Sequence, residues 1–197
     1  STMKAGSSFI GLGAYGGYVV VGFDKPIVNV PGEYDFKTAG NAYVNNAECG
    51  IIMVSQDKNG NGLPDDEWYE LAGSEYNNPK TVHNYKITYY RPQYDIEIRK
   101  GETPDENYIN NPASFRTETD NNIADVMWKD NLGNTGYVLR NTFHKQQSYY
   151  PMWIESDELT FSGSLLPSNA VQSGNIWQFP AYDWGYADNW SANESDE

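Results

Sequence analysis

Asp57, Asn59 and Asn61 stand two residues apart in the stretch Asp57-Lys-Asn-Gly-Asn-Gly-Leu-Pro-Asp-Asp-Glu67. Oxygen-bearing side chains at i, i+2 and i+4, followed at once by Gly62, open a calcium loop of the EF-hand type, in which they turn inward around a hard cation. Gly60 and Gly62 permit the positive φ angles of so tight a wrap. Leu63 stands where a backbone carbonyl would coordinate, and Asp65, Asp66 or Glu67 would complete a shell of about 6–8 oxygens. Trp68 occupies the place of the usual bidentate glutamate. The loop is therefore a shortened variant, and its two asparagines give it less charge and a weaker grip than a sensor site. The expected role of the calcium is structural, pinning a turn between two strands, with Trp68-Tyr-Glu-Leu71 opening the second. The alternative is a plain Asn-Gly-Asn-Gly turn with solvated acids after it.

Other reactive groupings are scarce. His83 and His144 are the only histidines, and their separation fits no metal-ligand spacing. Cys49 is the only cysteine, so the chain has no internal disulfide and no cysteine-based zinc site. No nucleophile elbow or P-loop occurs. The glycine-rich Gly11–Gly17 leads into a strand-like run and lacks the helix N-terminus that a phosphate cradle uses. The 27 acidic residues could hide a glycosidase pair, but solvated surface carboxylates explain most of them. No catalytic residue is assigned, and a binding protein is expected rather than an enzyme. The net charge of −14 and pI near 4.4 repel phosphate backbones and anionic membranes, so nucleic acid is excluded as a partner. No stretch approaches the roughly 20 apolar residues of a membrane span.

Aromatic residues are abundant, with 16 Tyr, 7 Phe and 6 Trp. They concentrate in Tyr149–Trp153 and Ile176–Tyr186, beside Asn, Gln and Asp. Such segments stack on flat or apolar ligand faces while polar neighbours fix orientation. The candidate ligand-binding residues are Tyr149, Trp153, Trp177, Tyr182, Trp184 and Tyr186. The competing reading makes each of them a core or loop anchor.

These side chains need a frame, and the frame reads as all-β. Tyr18–Phe23 and Ile51–Val54 are continuous apolar runs expected of central strands covered on both faces. Tyr85–Tyr90 and Tyr94–Arg99 alternate, as strands with one wet face do. Trp68–Ala72, Ala124–Lys129, Gly136–Phe143, Glu158–Ser162 and Ile176–Phe179 are further candidates, and Asp130–Asn134 reads as a hairpin loop. Helix is confined to a short piece at Pro104–Ile109, inside a long polar connection, Gly101–Asn122. The expected architecture is a single β-sandwich domain over residues 1–190, of jelly-roll type with long loops and little helix, followed by an acidic, frayed tail at 191–197. The opening residues carry no signal peptide, as expected of a mature or trimmed chain.

Several segments together carry a family likeness. They are Leu12–Asp24, Tyr34-Asp-Phe with Gly40-Asn-Ala, Asp57–Ser74, Ile87-Thr-Tyr-Tyr90, Tyr150-Pro-Met-Trp153 and Asp183-Trp-Gly-Tyr-Ala-Asp-Asn189. The set resembles a family of cell-surface lipoproteins of gut Bacteroidota, related to the cobalamin-binding surface lipoproteins of the BtuH class. The resemblance implies a lipid-anchored precursor on the outer face of a bacterial outer membrane, or a secreted form. It further implies capture of cobalamin or another corrinoid for delivery to a TonB-dependent transporter. Two departures stand out. Cys49 occupies a position where the family pattern has proline before Gly-Ile, and the family domain continues past Asn189 with further strands. A calcium-stabilised carbohydrate-binding module and an adhesion module are the alternative functions.

Overall fold

The computed structural model describes residues 10–12, 16–93, 95, 125–138, 150–151 and 153–189. Among these the chain forms strands β1 (Met53–Ser55), β2 (Trp68–Glu70), β3 (Val82–Tyr90), β4 (Val126–Asp130), β5 (Thr135–Val138), β6 (Glu158–Leu165), β7 (Val171–Ser173) and β8 (Ile176–Gln178). Among the described residues, helical geometry occurs only at Gln93 and Asp95. The protein is all-β, as its turn-rich sequence implies. No helix among the described residues is long and apolar enough to cross a membrane.

The chain divides into two compact units. One comprises Ser1–Gly11, Val19–His83 and Gly163–Glu197; the other comprises Leu12–Tyr18 and Asn84–Ser162. The second unit is organised by the sheet β5-β4-β3-β6. Period-2 alternation on β3 sends Ile87 and Tyr89 to one face. There Tyr89, Val126 and Tyr150 form a buried cluster, walled by Ile87, Trp128 and Phe161. Tyr89 lies opposite Trp128 in the ladder, and its ring meets Phe161 edge-on at 5.9 Å. The expected Asp130–Asn134 hairpin joins β4 to β5: Asp130 Oδ1 accepts from the N–H groups of Leu132 (3.0 Å) and Asn134 (2.7 Å). This is the aspartate-led turn that competes well with extended chain.

The first unit rests on two short hairpins. β1 pairs with β2 across the Asp57–Glu67 loop, and β7 pairs with β8. Ser173 faces Ile176 across Gly174-Asn175, with Gly174 at φ +61. A two-residue turn led by glycine matches strand twist, and this chemistry makes Val171–Ser173 a strand that its own three residues do not advertise.

Three expected strands differ. Tyr18–Phe23 lies in no strand, and its side chains are exposed, Tyr18 by 77%. An apolar run becomes a central strand only where neighbours supply backbone partners, and none does so among the described residues. Ile51–Val54 enters strand structure only from Met53, pairs with β2 alone and is half-buried rather than covered on both faces. Asp95 is helical and buried, and its N–H meets the Pro92 carbonyl at 3.1 Å, so the chain turns where Tyr94–Arg99 reads as extended. The remainder of that segment, residues 101–122 with the helix expected at 104–109, residues 139–143 of the expected Gly136–Phe143 strand, His144, Tyr149, Trp190 and the tail 191–197 lie outside the described residues.

A candidate ligand cleft and the calcium-type loop

The Asp57 loop folds around its own carboxylates. Asp57 Oδ1 accepts from the N–H of Gly60 at 2.7 Å and Oδ2 from that of Gly62 at 2.9 Å. Asn59 and Asn61 each accept the N–H two residues on, and each sends its Nδ2 to Asp65, at 3.2 and 3.0 Å. These amide bonds hold the Asp65 carboxyl below its usual range, Asn61 contributing most. Asp57, Asn59, Asn61 and Asp65 thus converge. Asp66 instead accepts from Lys58 N–H at 3.1 Å, and Glu67 is turned to the Tyr69 hydroxyl. The Leu63 side chain is exposed and its N–H is held by Asn61. Among the described residues no three His, Cys, Asp or Glu side chains are grouped to hold a metal. Here the inner pair of the loop is amide rather than carboxylate. A hard cation there would need both amides to turn their carbonyl oxygens away from the N–H groups of Asn61 and Leu63 and toward the Asp65 carboxylate.

The aromatic candidates separate into different environments. Trp153 belongs to the second unit and is 83% exposed. Trp177 and Trp184, in the first unit, are 60% and 55% exposed. Tyr186 is buried: its hydroxyl accepts from the Glu75 N–H at 2.9 Å and its ring covers Gly73. It is a core anchor, not an available ligand contact. Gly185, at φ +89, passes so close that an added Cβ would lie 2.5 Å from the Gly73 Cα. Only glycine fits that crossing. Asp188 Oδ1 accepts from the N–H groups of Asn41 (2.8 Å) and Ala42 (3.1 Å). The segments 40–42, 72–74 and 183–189, read apart in the sequence, therefore interlock.

The first unit also holds an open cleft of about 510 Å³. Ile51, Leu165, Leu166 and Phe179 supply its apolar lining; Asn46, Glu48, Cys49, Ser164, Asn169 and Tyr182 supply the polar groups. Tyr182 is the one sequence candidate that lines it. Trp177 stands two residues before Phe179 on the extended chain, on the same face by strand alternation. The wall is held from behind by Asn189, which is buried. Its Oδ1 accepts from Tyr182 N–H and Cys49 Sγ, both at 2.8 Å, and its Nδ2 donates to the Tyr182 carbonyl at 2.6 Å. Ser164 donates to Glu70 Oε2 at 3.0 Å and lies 3.0 Å from His83 Nδ1, while His83 Nε2 meets the Tyr76 carbonyl at 3.0 Å.

The cleft residues Asn46, Glu48 and Asn169 escaped the motif-based reading, and Phe179 was read only as part of the aromatic segment Ile176–Tyr186. One signal could have found part of the wall: no charged residue occurs between Glu158 and Asp183 in a chain of net charge −14.

Burial pushes the Cys49 thiol up, and chiefly burial pushes Tyr182 up to about 12. Both groups are neutral when protonated, and a folded-state pKa above the unfolded value favours the fold at lower pH. Their contribution is complete below about pH 8 and is lost as pH rises toward 12. Melting temperature followed by circular dichroism should therefore hold to about pH 8 and then fall, with Tyr182→Phe flattening the upper part of the decline. A flat profile to pH 12 would contradict this assignment.

No family model matches the chain, and comparison with curated proteins gives no match.

Proposed function

We propose that this protein is a surface binding module that captures cobalamin or a related corrinoid and passes it to an outer-membrane transporter. The observation carrying this reading is the cleft with its aromatic wall, Phe179 with Tyr182 pinned beside it, and an exposed Trp177 two residues before Phe179 in the chain. A concave apolar lining with a few convergent polar groups is the usual form of a small-molecule site. A corrinoid suits it as a flat, amide-fringed macrocycle, one edge entering the cleft while an indole covers an exposed face. A glycan is the second reading, favoured by the exposed indole on the charge-free β7–β8 hairpin.

Titration with cyanocobalamin, followed by its visible spectrum and by co-elution, tests the first reading. Trp177→Ala should weaken binding about tenfold, the loss of one good aromatic anchor. Retention on a polysaccharide gel without cobalamin binding at micromolar concentration would move the assignment to the glycan.

Calcium belongs to the same proposal as a structural clamp on the β1–β2 hairpin, held by Asp57, Asn59, Asn61 and Asp65 with the Leu63 carbonyl. An ion at a hundredfold excess over its Kd adds about 2.7 kcal/mol to the folded state, about 5–10 °C in melting temperature for a chain of this size. Asp57→Ala should abolish the upshift. An unchanged melting temperature between chelated and calcium-saturated samples would refute the clamp.

A further inference from the structure

Along the wall formed by Asn46–Glu48, Phe179 and Tyr182, the hydrogen-bonding capacity of the cleft is one-sided. The backbone N–H groups of Asn46, Ala47, Glu48 and Phe179 are already bonded within the protein, to the carbonyls of Tyr43, Phe179, Asp188 and Asn45. Tyr182 N–H is bonded to Asn189 Oδ1. The lining side chains follow the same rule. The Cys49 thiol donates to Asn189, the Ser164 hydroxyl to Glu70 and the Tyr182 hydroxyl to the Pro167 carbonyl. Asn169 commits its Nδ2 to the Pro180 carbonyl at 2.7 Å, which leaves its Oδ1. What these groups still offer is acceptor capacity: Asn169 Oδ1, the remaining oxygen lone pairs of Tyr182 and the side-chain oxygens of Glu48, the only acidic residue in the lining. The Asn46 side-chain amide is the exception that retains donors.

We infer that the cleft selects its ligand through hydrogen bonds that the ligand donates, taking a neutral or cationic amide, amine or hydroxyl group and turning away carboxylates and phosphates. The inference rests on the reading of this cleft as a ligand seat and adds the chemistry of what enters it. Along this wall a ligand carboxylate would face acceptors, beside Glu48 and within a chain of net charge −14. Leaving an ionised group without partners while pairing it with a like charge is the arrangement that most strongly rejects a ligand. A donor group meets the opposite situation, since the oxygens of Asn169 and Tyr182 are already oriented by their bonds to Pro180 and Pro167.

The test compares ligands of one shape and opposite hydrogen-bonding character. Dicyanocobinamide, fringed with amides, should bind about tenfold or more tightly than the corrin heptacarboxylic acid that carries carboxylates in their place. Equal or tighter binding of the acid would overturn the inference while leaving the corrinoid reading intact. If neither corrin binds, the corrinoid reading fails, and the chemistry of the cleft is decided with a second matched pair. Tryptamine at millimolar concentration should then move the 15N amide resonances of Ala47, Glu48, Phe179 and Tyr182, and indole-3-acetate should not. Glu48→Gln should reduce the tryptamine shifts. Shifts with the acetate, or with neither compound, would overturn the inference.

Discussion

Replacing Arg91 with alanine is expected to destabilise the second unit by about 3 kcal/mol, a large share of what holds a domain folded. The Arg91 side chain is fully shielded from solvent and sits just past the end of β3. Its Nε donates to Asp157 Oδ1 at 2.8 Å, its terminal nitrogen donates to the carbonyls of Ile154 and Ser156, and its guanidinium lies 4.3 Å from the centre of the Tyr150 ring. Tyr150 is itself buried in the core cluster, and its hydroxyl donates to the same Ser156 carbonyl at 2.7 Å. One planar cation thus ties the chain before β6 to the end of β3 and roofs the core. The ion pair is the lesser part, because Asp157 is half exposed and such pairs contribute about 1 kcal/mol or less. The greater part is the desolvation of the carbonyls the guanidinium serves, about 1–3 kcal/mol for each one stranded, together with the cavity left over Tyr150. Arg91→Lys keeps the charge but not the fork, and should recover less than half the loss. Asp157→Asn should cost about 1 kcal/mol or less. Urea denaturation of the three variants orders these effects, and Arg91→Ala within about 1 kcal/mol of wild type would show that water replaces the guanidinium.

The all-β class was legible because turn chemistry is local. Asp130 and Gly133 specify their hairpin without help, and Tyr85–Tyr90 alternates so regularly that its strand and buried face both follow from spacing. Where burial is supplied from elsewhere, local pattern misleads. Tyr18–Phe23 has the composition of a central strand and the exposure of a surface segment. The calcium-type loop was legible to the level of which side chains converge, but not which acid closes it. Asp65 meets the asparagines, while Glu67 is taken by Tyr69, a partner two residues away whose direction depends on the start of β2. The cleft was scarcely legible. Its wall combines residues 46–51, 164–169 and 179–182, and nothing in the local composition of Asn46-Ala-Glu-Cys49 marks them as neighbours of Phe179. The Asp183–Asn189 segment shows the reverse case. Its aromatic character suggests a ligand surface, yet Tyr186, Asp188 and Asn189 hold backbone, leaving Trp184 as its exposed aromatic.

Asn189 should consequently be the most sensitive position in the first unit, and Asn189→Ala is expected to cost about 3 kcal/mol and to abolish ligand binding at the cleft. The amide clamps Tyr182 at both its N–H and its carbonyl and takes the Cys49 thiol proton as well. Alanine strands all three groups where Asn189 has only 3% exposure, so water enters poorly. The wall moves with them, since the Tyr182 backbone sets the direction of a ring whose hydroxyl must still reach Pro167. Stability alone would not separate a clamp from ordinary packing, and Asn189→Asp does. Aspartate has the same shape and keeps the acceptor for Tyr182 N–H and Cys49, but when ionised it sets a carboxylate oxygen against the Tyr182 carbonyl. Protonation restores a donor at that point, and a carboxyl strained by burial and by a facing carbonyl takes up its proton above the ordinary range. Its raised folded-state pKa makes the variant regain stability as pH falls toward 5, over a range where wild type has no such gain from this position. Denaturation curves at pH 5 and pH 7.5 carry the comparison. If Asn189→Asp behaves like alanine at both, Asn189 acts through its volume, and the preorganisation of the cleft must be sought in the Tyr182–Pro167 bond instead.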